Sequence, residues 1–239
     1  MMASFSNFAN RLPDPAYGID EAGQNVNSAA NYGPGFASVT FTKEQPTMMS
    51  RTNSGRVVTR SLVGETLKIR ITYNPLTRAQ FEPVYSFLTE KKGRLKPFFV
   101  SLPQYADAQD STFSGSITVD GAYAAGVDNF LADHSSLTGT PKRGDTFTIT
   151  DSANSNHTKL YTVTRVHTNS DYYSGESQPS ADQYRIYCQP NLVYSVADNS
   201  TLNFVSPLVR VIQAADVREY SLGTNNLYTF SLSLEEAQP

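Results

Sequence analysis

Cysteine is nearly missing from this chain: Cys188 stands alone among 239 residues, so no internal disulfide can form and thiolates cannot build a four-ligand zinc site. Its neighbours Ile186 and Tyr187 make a strand-like run, where a lone cysteine reads as a small buried hydrophobe rather than a nucleophile needing a histidine partner. Histidine is scarce too. His134, His157 and His167 sit in polar or loop contexts, are expected to be exposed, and lack the spacing that puts two imidazoles on one metal. No run approaches the roughly 18 apolar residues of a membrane-spanning helix, and the first residues show neither the basic start nor the apolar core of a signal peptide. A cytoplasmic site of synthesis is therefore expected. Charge of either sign is sparse: 19 Lys and Arg against 22 Asp and Glu give a net charge of -3, which supplies no overall attraction to nucleic acid or acidic lipid. Glycine-rich phosphate loops, a Gly-x-Ser-x-Gly elbow and a Ser-His-Asp ordering are all lacking. No cofactor, no metal and no catalysis are expected.

Aromatic residues are present instead. The 14 tyrosines and 13 phenylalanines, with no tryptophan, stand among short apolar runs separated by Thr, Ser and Asn, a texture that suits a mainly β protein with polar turns. The richest stretch begins at Glu65. Leu67, Ile69, Ile71 and Tyr73 alternate with Thr66, Lys68, Arg70 and Thr72, which predicts a strand with one apolar and one wet face. Asn74-Pro75 ends it. Thr77 with Gln80 reads as a capping box, and Phe81, Val84, Tyr85 and Leu88 share one face of a short helix packed on a sheet, near residues 77–92. Pro83 favours a shorter version that starts there with Glu82 as its cap, because an interior proline costs about 3 kcal/mol. Lys91 and Lys92 suit the negative end of the helix dipole, and Gly93 can take the left-handed turn beyond it. After that, Leu95, Pro97 and Phe99 alternate with Arg94, Lys96 and Phe98, and Pro97 marks an edge strand or a bulge.

Residues 1–35 are poor in large apolar side chains and punctuated by Pro13, Pro15 and Gly33-Pro34-Gly35. The scattered anchors Phe5, Phe8, Leu12, Tyr17 and Ile19 predict an extended arm that folds on a neighbour. Runs at 37–42 and 56–63, on either side of a loop at 44–55, join 65–73 as a meander. Leu208 to Ile212, a hairpin around 223–226 and the alternation from Tyr228 to Leu234 complete a core made of residues 36–109 and 206–239. Residues 110–205 change to short runs between turns, at 116–119, 146–150, 159–166 and 183–188, and read as an inserted small β-barrel or sandwich.

Other patterns have cheaper readings than chemistry. Asp107, Asp110, Asp120, Asp128 and Asp133 gather at the start of the insert without the spacing of a calcium loop or a glycosidase pair, although Asp120 and Asp128 would be the first to test for hydrolysis. Arg143-Gly144-Asp145 matches an adhesion tripeptide, but a glycine turn before a strand accounts for it. Asn156-His157-Thr158 and Asn199-Ser200-Thr201 match glycosylation acceptors, relevant only on a secretory route. Tyr172, Tyr173, Tyr184 and Tyr187 could stack on sugar rings in a carbohydrate-binding module, or pack in the wall with their hydroxyls at the surface. Arg78, Lys91, Lys92, Arg94 and Lys96 read as a basic cluster around the helix end. With Phe98 they are the candidate interface residues.

The segment 81–100 runs from Phe81-Glu82-Pro83-Val84-Tyr85 through Lys91-Lys92-Gly93 to Lys96-Pro97-Phe98-Phe99-Val100, with Pro103 beyond. It resembles the minor or distal tail proteins of long-tailed bacteriophages and gene transfer agents, and the end of the chain from Tyr228 to Glu235 resembles their closing strand. About half the chain takes part, Val57 to about Asp107 and Val209 to Glu235, with phenylalanine where many relatives carry tryptophan in the aromatic strand. The resemblance implies a tail-tube-like β core carrying an insertion. It also implies a structural virion protein in a homo-oligomeric, six-fold ring that joins the tail tube to hub, fibres or baseplate. A tube initiator, terminator or fibre-attachment protein is the alternative post. The partners would be other copies and other tail proteins, with neither nucleic acid nor membrane, and the place would be the virion tail, assembled in the host cytoplasm.

Overall fold

The structure is a computed structural model that describes residues 10–26, 32–61, 64–134, 137–151 and 153–237. It is mainly β with one α-helix, in two compact units: Met1–Val100 with Arg210–Ala237, and Ser101–Val209. Residues 110–205, read as an insert, fall within the second.

The first unit holds the strands β1 (Gly18–Ile19), β2 (Asn25–Val26), β3 (Phe36–Glu44), β4 (Thr47–Arg51), β5 (Val57–Ser61), β6 (Thr66–Tyr73) and β7 (Phe98–Ser101), and the helix α1 (Arg78–Glu90). The other unit contributes β8 (Thr118–Val119), β9 (Asn129–Asp133), β10 (Thr146–Thr150), β11 (Tyr161–His167), β12 (Gln183–Gln189) and β13 (Thr201–Asn203), after which β14 (Leu208–Gln213), β15 (Tyr220–Leu222) and β16 (Tyr228–Glu236) return to the first sheet.

That sheet runs β3-β6-β16-β14-β7, with β15 paired to the start of β16. Its register puts Ile71 opposite Leu232 and Ile69 opposite Leu234, with Val39 and Phe41 opposite Ile71 and Ile69 on the other side of β6. Directly paired residues share a face, so these apolar side chains form one surface and Lys68, Arg70, Ser231 and Ser233 form the other. The helix covers the apolar surface. Phe81 stacks on Tyr228 with ring centroids 4.5 Å apart and meets Phe230 edge-on, while Phe87 meets Phe98 edge-on. Buried Gln213 donates from Nε2 to the carbonyl of Leu88 at 3.1 Å, serving one of the last-turn acceptors that a helix cannot satisfy itself.

The preference for a shorter helix is corrected. The helix begins at Arg78, Thr77 is its N-cap, and the Thr77 N–H donates to Gln80 Oε1 at 3.1 Å, so Pro83 lies inside it. The cap and the burial of Phe81 and Val84 outweigh the one missing hydrogen bond. At the other end Gly93 does take the left-handed conformation (φ +64°), and Lys92 takes it as well (φ 54°).

The meander is corrected too. Strand β3 pairs directly with β6, whereas β4 and β5 pair only with each other and make a two-stranded ribbon in the connection between them. The stretch at 44–55 read as a loop therefore contains a strand. Phe5 and Phe8 of the arm lie outside the described residues. From Asn10 the arm lies along its own sheet: Leu12 N–H donates to Phe99 O at 2.9 Å and Phe99 N–H donates to Asn10 O at 2.8 Å, which covers the outer edge of β7. Leu12 is fully buried, and Arg11 and Asp14 pair at 2.7 Å.

The second unit is a closed antiparallel barrel in the order β10-β11-β12-β9-β8-β13. Its interior is filled by Phe130, Phe147, Ile149, Tyr161, Val163, Ile186 and Leu202, with Cys188 among them. Closure removes every strand edge. The strands β9 and β13, which the sequence reading left out, are the pieces that make closure possible.

Candidate interaction surface

The ribbon of β4 and β5 is exposed at every residue from Thr47 to Arg60. Its pairs run from Thr47 opposite Ser61 to Arg51 opposite Val57, and the tip is closed by Thr52 N–H to Arg56 O and Gly55 N–H to Thr52 O, both 2.9 Å. Gly55 sits at φ +80°, a conformation that costs other residues strain. Met48 and Val58 lie on one face and Met49 and Val57 on the other. The two methionines are 60% and 63% exposed, and both valines are exposed as well. A free two-stranded hairpin is marginal in water, and a sheet in its folded state normally buries one apolar face. This ribbon buries neither against its own chain.

Charge sharpens the picture. Residues 47–61 contain Arg51, Arg56 and Arg60 and no acid, and among the described residues none of the three has an ion-pair partner. Removing them from the chain's 19 basic residues leaves 16 against 22 acidic ones, a net charge of -6 for the rest. Just before the ribbon in the chain, the outer edge of the nine-residue β3 has no strand partner among the described residues. Such an edge offers a row of backbone donors and acceptors to another chain.

A groove of about 540 Å³ lies between the turn after β1 and the helix. Ile19, Ala79, Pro83 and Phe87 give it apolar walls, and its carboxylates are Asp20, Glu21, Glu82 and Glu90. Arg78 donates to Glu82 at 2.6 Å, and that hydrogen bond raises the pKa of the exposed guanidinium. Lys91 reaches Glu90 at 3.4 Å. Asp20 accepts the Gln24 N–H, and Glu21 is exposed.

The candidate interface residues do not form one surface. Arg78 is at the start of the helix and the others follow its end, about 20 Å away at 1.5 Å per residue. Lys91 is 4% exposed, its ammonium 4.6 Å from the centre of the Phe87 ring, and Phe98 is fully buried beneath the helix. Neither can meet a partner without opening the core, which corrects their reading as contact residues. Arg94 is exposed but bound, donating to the Ala214 carbonyl from its side chain and to Asp216 Oδ1 from its backbone. Lys96 N–H donates to Lys91 O at 3.1 Å. Lys92 is left as the outward-facing charge at that end. Sequence reasoning missed the ribbon, although Asn53-Ser54-Gly55 lies between the apolar pairs Met48-Met49 and Val57-Val58, a hairpin signal whose first strand was read as part of a loop.

In the barrel unit the histidines are corrected. His157 and His167 are buried, and His134 stacks on Tyr184 at 3.8 Å. His157 Nε2 and the Tyr161 hydroxyl are hydrogen-bonded at 2.7 Å, and burial lowers the His157 pKa, partly offset by Asp151. Tyr184 and Tyr187 are buried in the wall, the latter bonded through its hydroxyl to Glu176, while Tyr172 and Tyr173 are exposed. Asp145 of the tripeptide is buried and accepts the N–H groups of Gln109 and Lys142, which fits the turn reading. The aspartates at the start of the insert are engaged separately. Asp110 accepts from the Thr112 hydroxyl and from the N–H groups of Thr112 and Thr140, and these bonds hold its pKa down at about 2. Asp120 accepts from Gln183 Nε2, and Asp128 accepts from Asn129 Nδ2. Among the described residues, no three His, Cys, Asp or Glu side chains converge as metal ligands, and no helix is long and apolar enough to cross a membrane.

No protein-family model matches the chain, and no curated protein sequence matches it.

Proposed function

We propose that this protein is a structural component of a bacteriophage tail, a distal tail or baseplate adaptor that assembles into a ring between the tail tube and the hub, fibres or baseplate. The observation that carries the reading is the ribbon of β4 and β5, with exposed apolar side chains on both faces and three arginines, following in the chain a β3 edge that has no strand partner among the described residues. An element of this kind gains its stability from a second chain, through main-chain pairing and apolar contact. The closed barrel has no strand edge to offer, so in this reading the first unit builds the assembly and the barrel is carried by it. The resemblance of residues 81–100 and 228–235 to tail proteins supplies the biological setting.

Size-exclusion chromatography with light scattering on the full-length protein, from low to high micromolar, tests the proposal. Growth of a discrete oligomer with concentration is the expected result, and negative-stain images should show rings. A strict monomer that binds neither tube nor hub protein overturns it.

A further inference from the structure

Two features of the first unit are complementary. The ribbon offers Met48, Met49, Val57 and Val58 framed by Arg51, Arg56 and Arg60. The groove beside α1 offers apolar walls framed by Asp20, Glu21, Glu82 and Glu90. Within one chain the two do not meet, since every ribbon residue from Thr47 to Arg60 is exposed.

We infer that the ribbon of one copy docks into the groove between the β1 turn and α1 of the next copy, so that the contact is head-to-tail. The occupant is a second copy of this chain because the charges are complementary. The ribbon carries three cations and no acid, and the remainder of the chain is acidic by six. On docking, the arginines meet Asp20 and Glu21 first, since Glu82 and Glu90 already pair with Arg78 and Lys91, and the apolar side chains of the ribbon leave water for Ile19, Ala79, Pro83 and Phe87. Pro83 has a part in this: lacking an N–H, it leaves the Ala79 carbonyl without its ordinary helical donor at the groove wall, where an incoming arginine can supply one. A contact between two different surfaces, repeated by rotation, closes into a ring or runs on as a filament. The inference rests on the assembly reading above and names the surfaces that would carry it.

Charge exchange tests it on the full-length protein. In one variant Arg51, Arg56 and Arg60 become Glu. In a second Asp20, Glu21 and Glu82 become Lys, and Glu90 is kept because its partner Lys91 is buried. Each variant alone then sets like charges against each other, and its self-association by analytical ultracentrifugation should be at least about 100-fold weaker than that of the natural protein. The decisive result is the mixture. The first variant is acidic at both surfaces and the second basic at both, so an equimolar mixture should assemble as alternating copies. Circular dichroism on each variant establishes that both are folded. If the ribbon variant assembles like the natural protein, or folded variants stay monomeric when mixed, the inference fails while self-assembly stands. If the natural protein is itself monomeric, or its ribbon binds only a different tail protein, the assembly reading or the choice of occupant fails with it.

Discussion

His157 is a buried titratable side chain of the barrel whose protonation opposes folding. Its Nε2 is bonded to Tyr161, and its buried Nδ1 has no hydrogen-bond partner among the described residues, so a proton added there would place a charge in a dry site that Asp151 offsets only in part. Burial puts the folded pKa below 6.5, and the sign follows. The unfolded chain takes up the proton first. The His157 contribution to stability is therefore complete above about pH 6.5 and is lost as pH falls from there through the folded pKa. Denaturation midpoints measured from pH 7.5 to 5 should decline in the natural protein and decline less in His157→Phe; an unchanged slope in the variant would place the sensitivity elsewhere. Asp110 acts lower on the scale. With its pKa held at about 2, its contribution is present above about pH 4 and is lost as pH falls from there through about 2.

The helix is where local chemistry and packing pull in different directions. Thr77 and Gln80 start it, Gly93 ends it, and Pro83 interrupts its hydrogen bonding between them. Replacing Pro83 with Ala restores the donor to the Ala79 carbonyl and relieves the ring, and should stabilise the protein by about 1–2 kcal/mol, the helical gain less the entropy that proline removes from the unfolded chain. A urea titration read by circular dichroism checks this, and a midpoint that moves down would mean that the ring's contacts outweigh the lost bond. Much at this scale was legible in the sequence. The alternation in β6 and β16 determined their faces, because with a period of two a one-residue slip would turn Leu67, Ile69, Ile71, Leu232 and Leu234 out to water. The ribbon was less legible, since its strands bury no face and carry no alternation, which left the turn residues Asn53-Ser54-Gly55 as its local signal.

At the scale of the whole molecule, sheet edges divide the labour. The barrel has none, the outer edge of β7 is covered by the chain's own arm, and among the described residues β3 and its ribbon have no further strand partner. Hydrogen exchange should read this directly. In dilute solution amides 47–61 should exchange far faster than those of β6 and β16, and at assembling concentrations they should become protected while the barrel stays unchanged. Equal exchange of the ribbon in both conditions would remove it from the contact. The sequence by itself determined the mainly β character, the covering helix and the apolar face of the sheet, because these follow from periodicity and capping within a few residues of chain. Only the tertiary structure decided which edges stay open, that Lys91, Phe98, His157 and His167 are buried, and that Asp20 and Glu21 meet Glu82 and Glu90 across one groove. Those outcomes depend on residues brought together from distant parts of the chain, and no local pattern records which neighbours a folded sheet will supply.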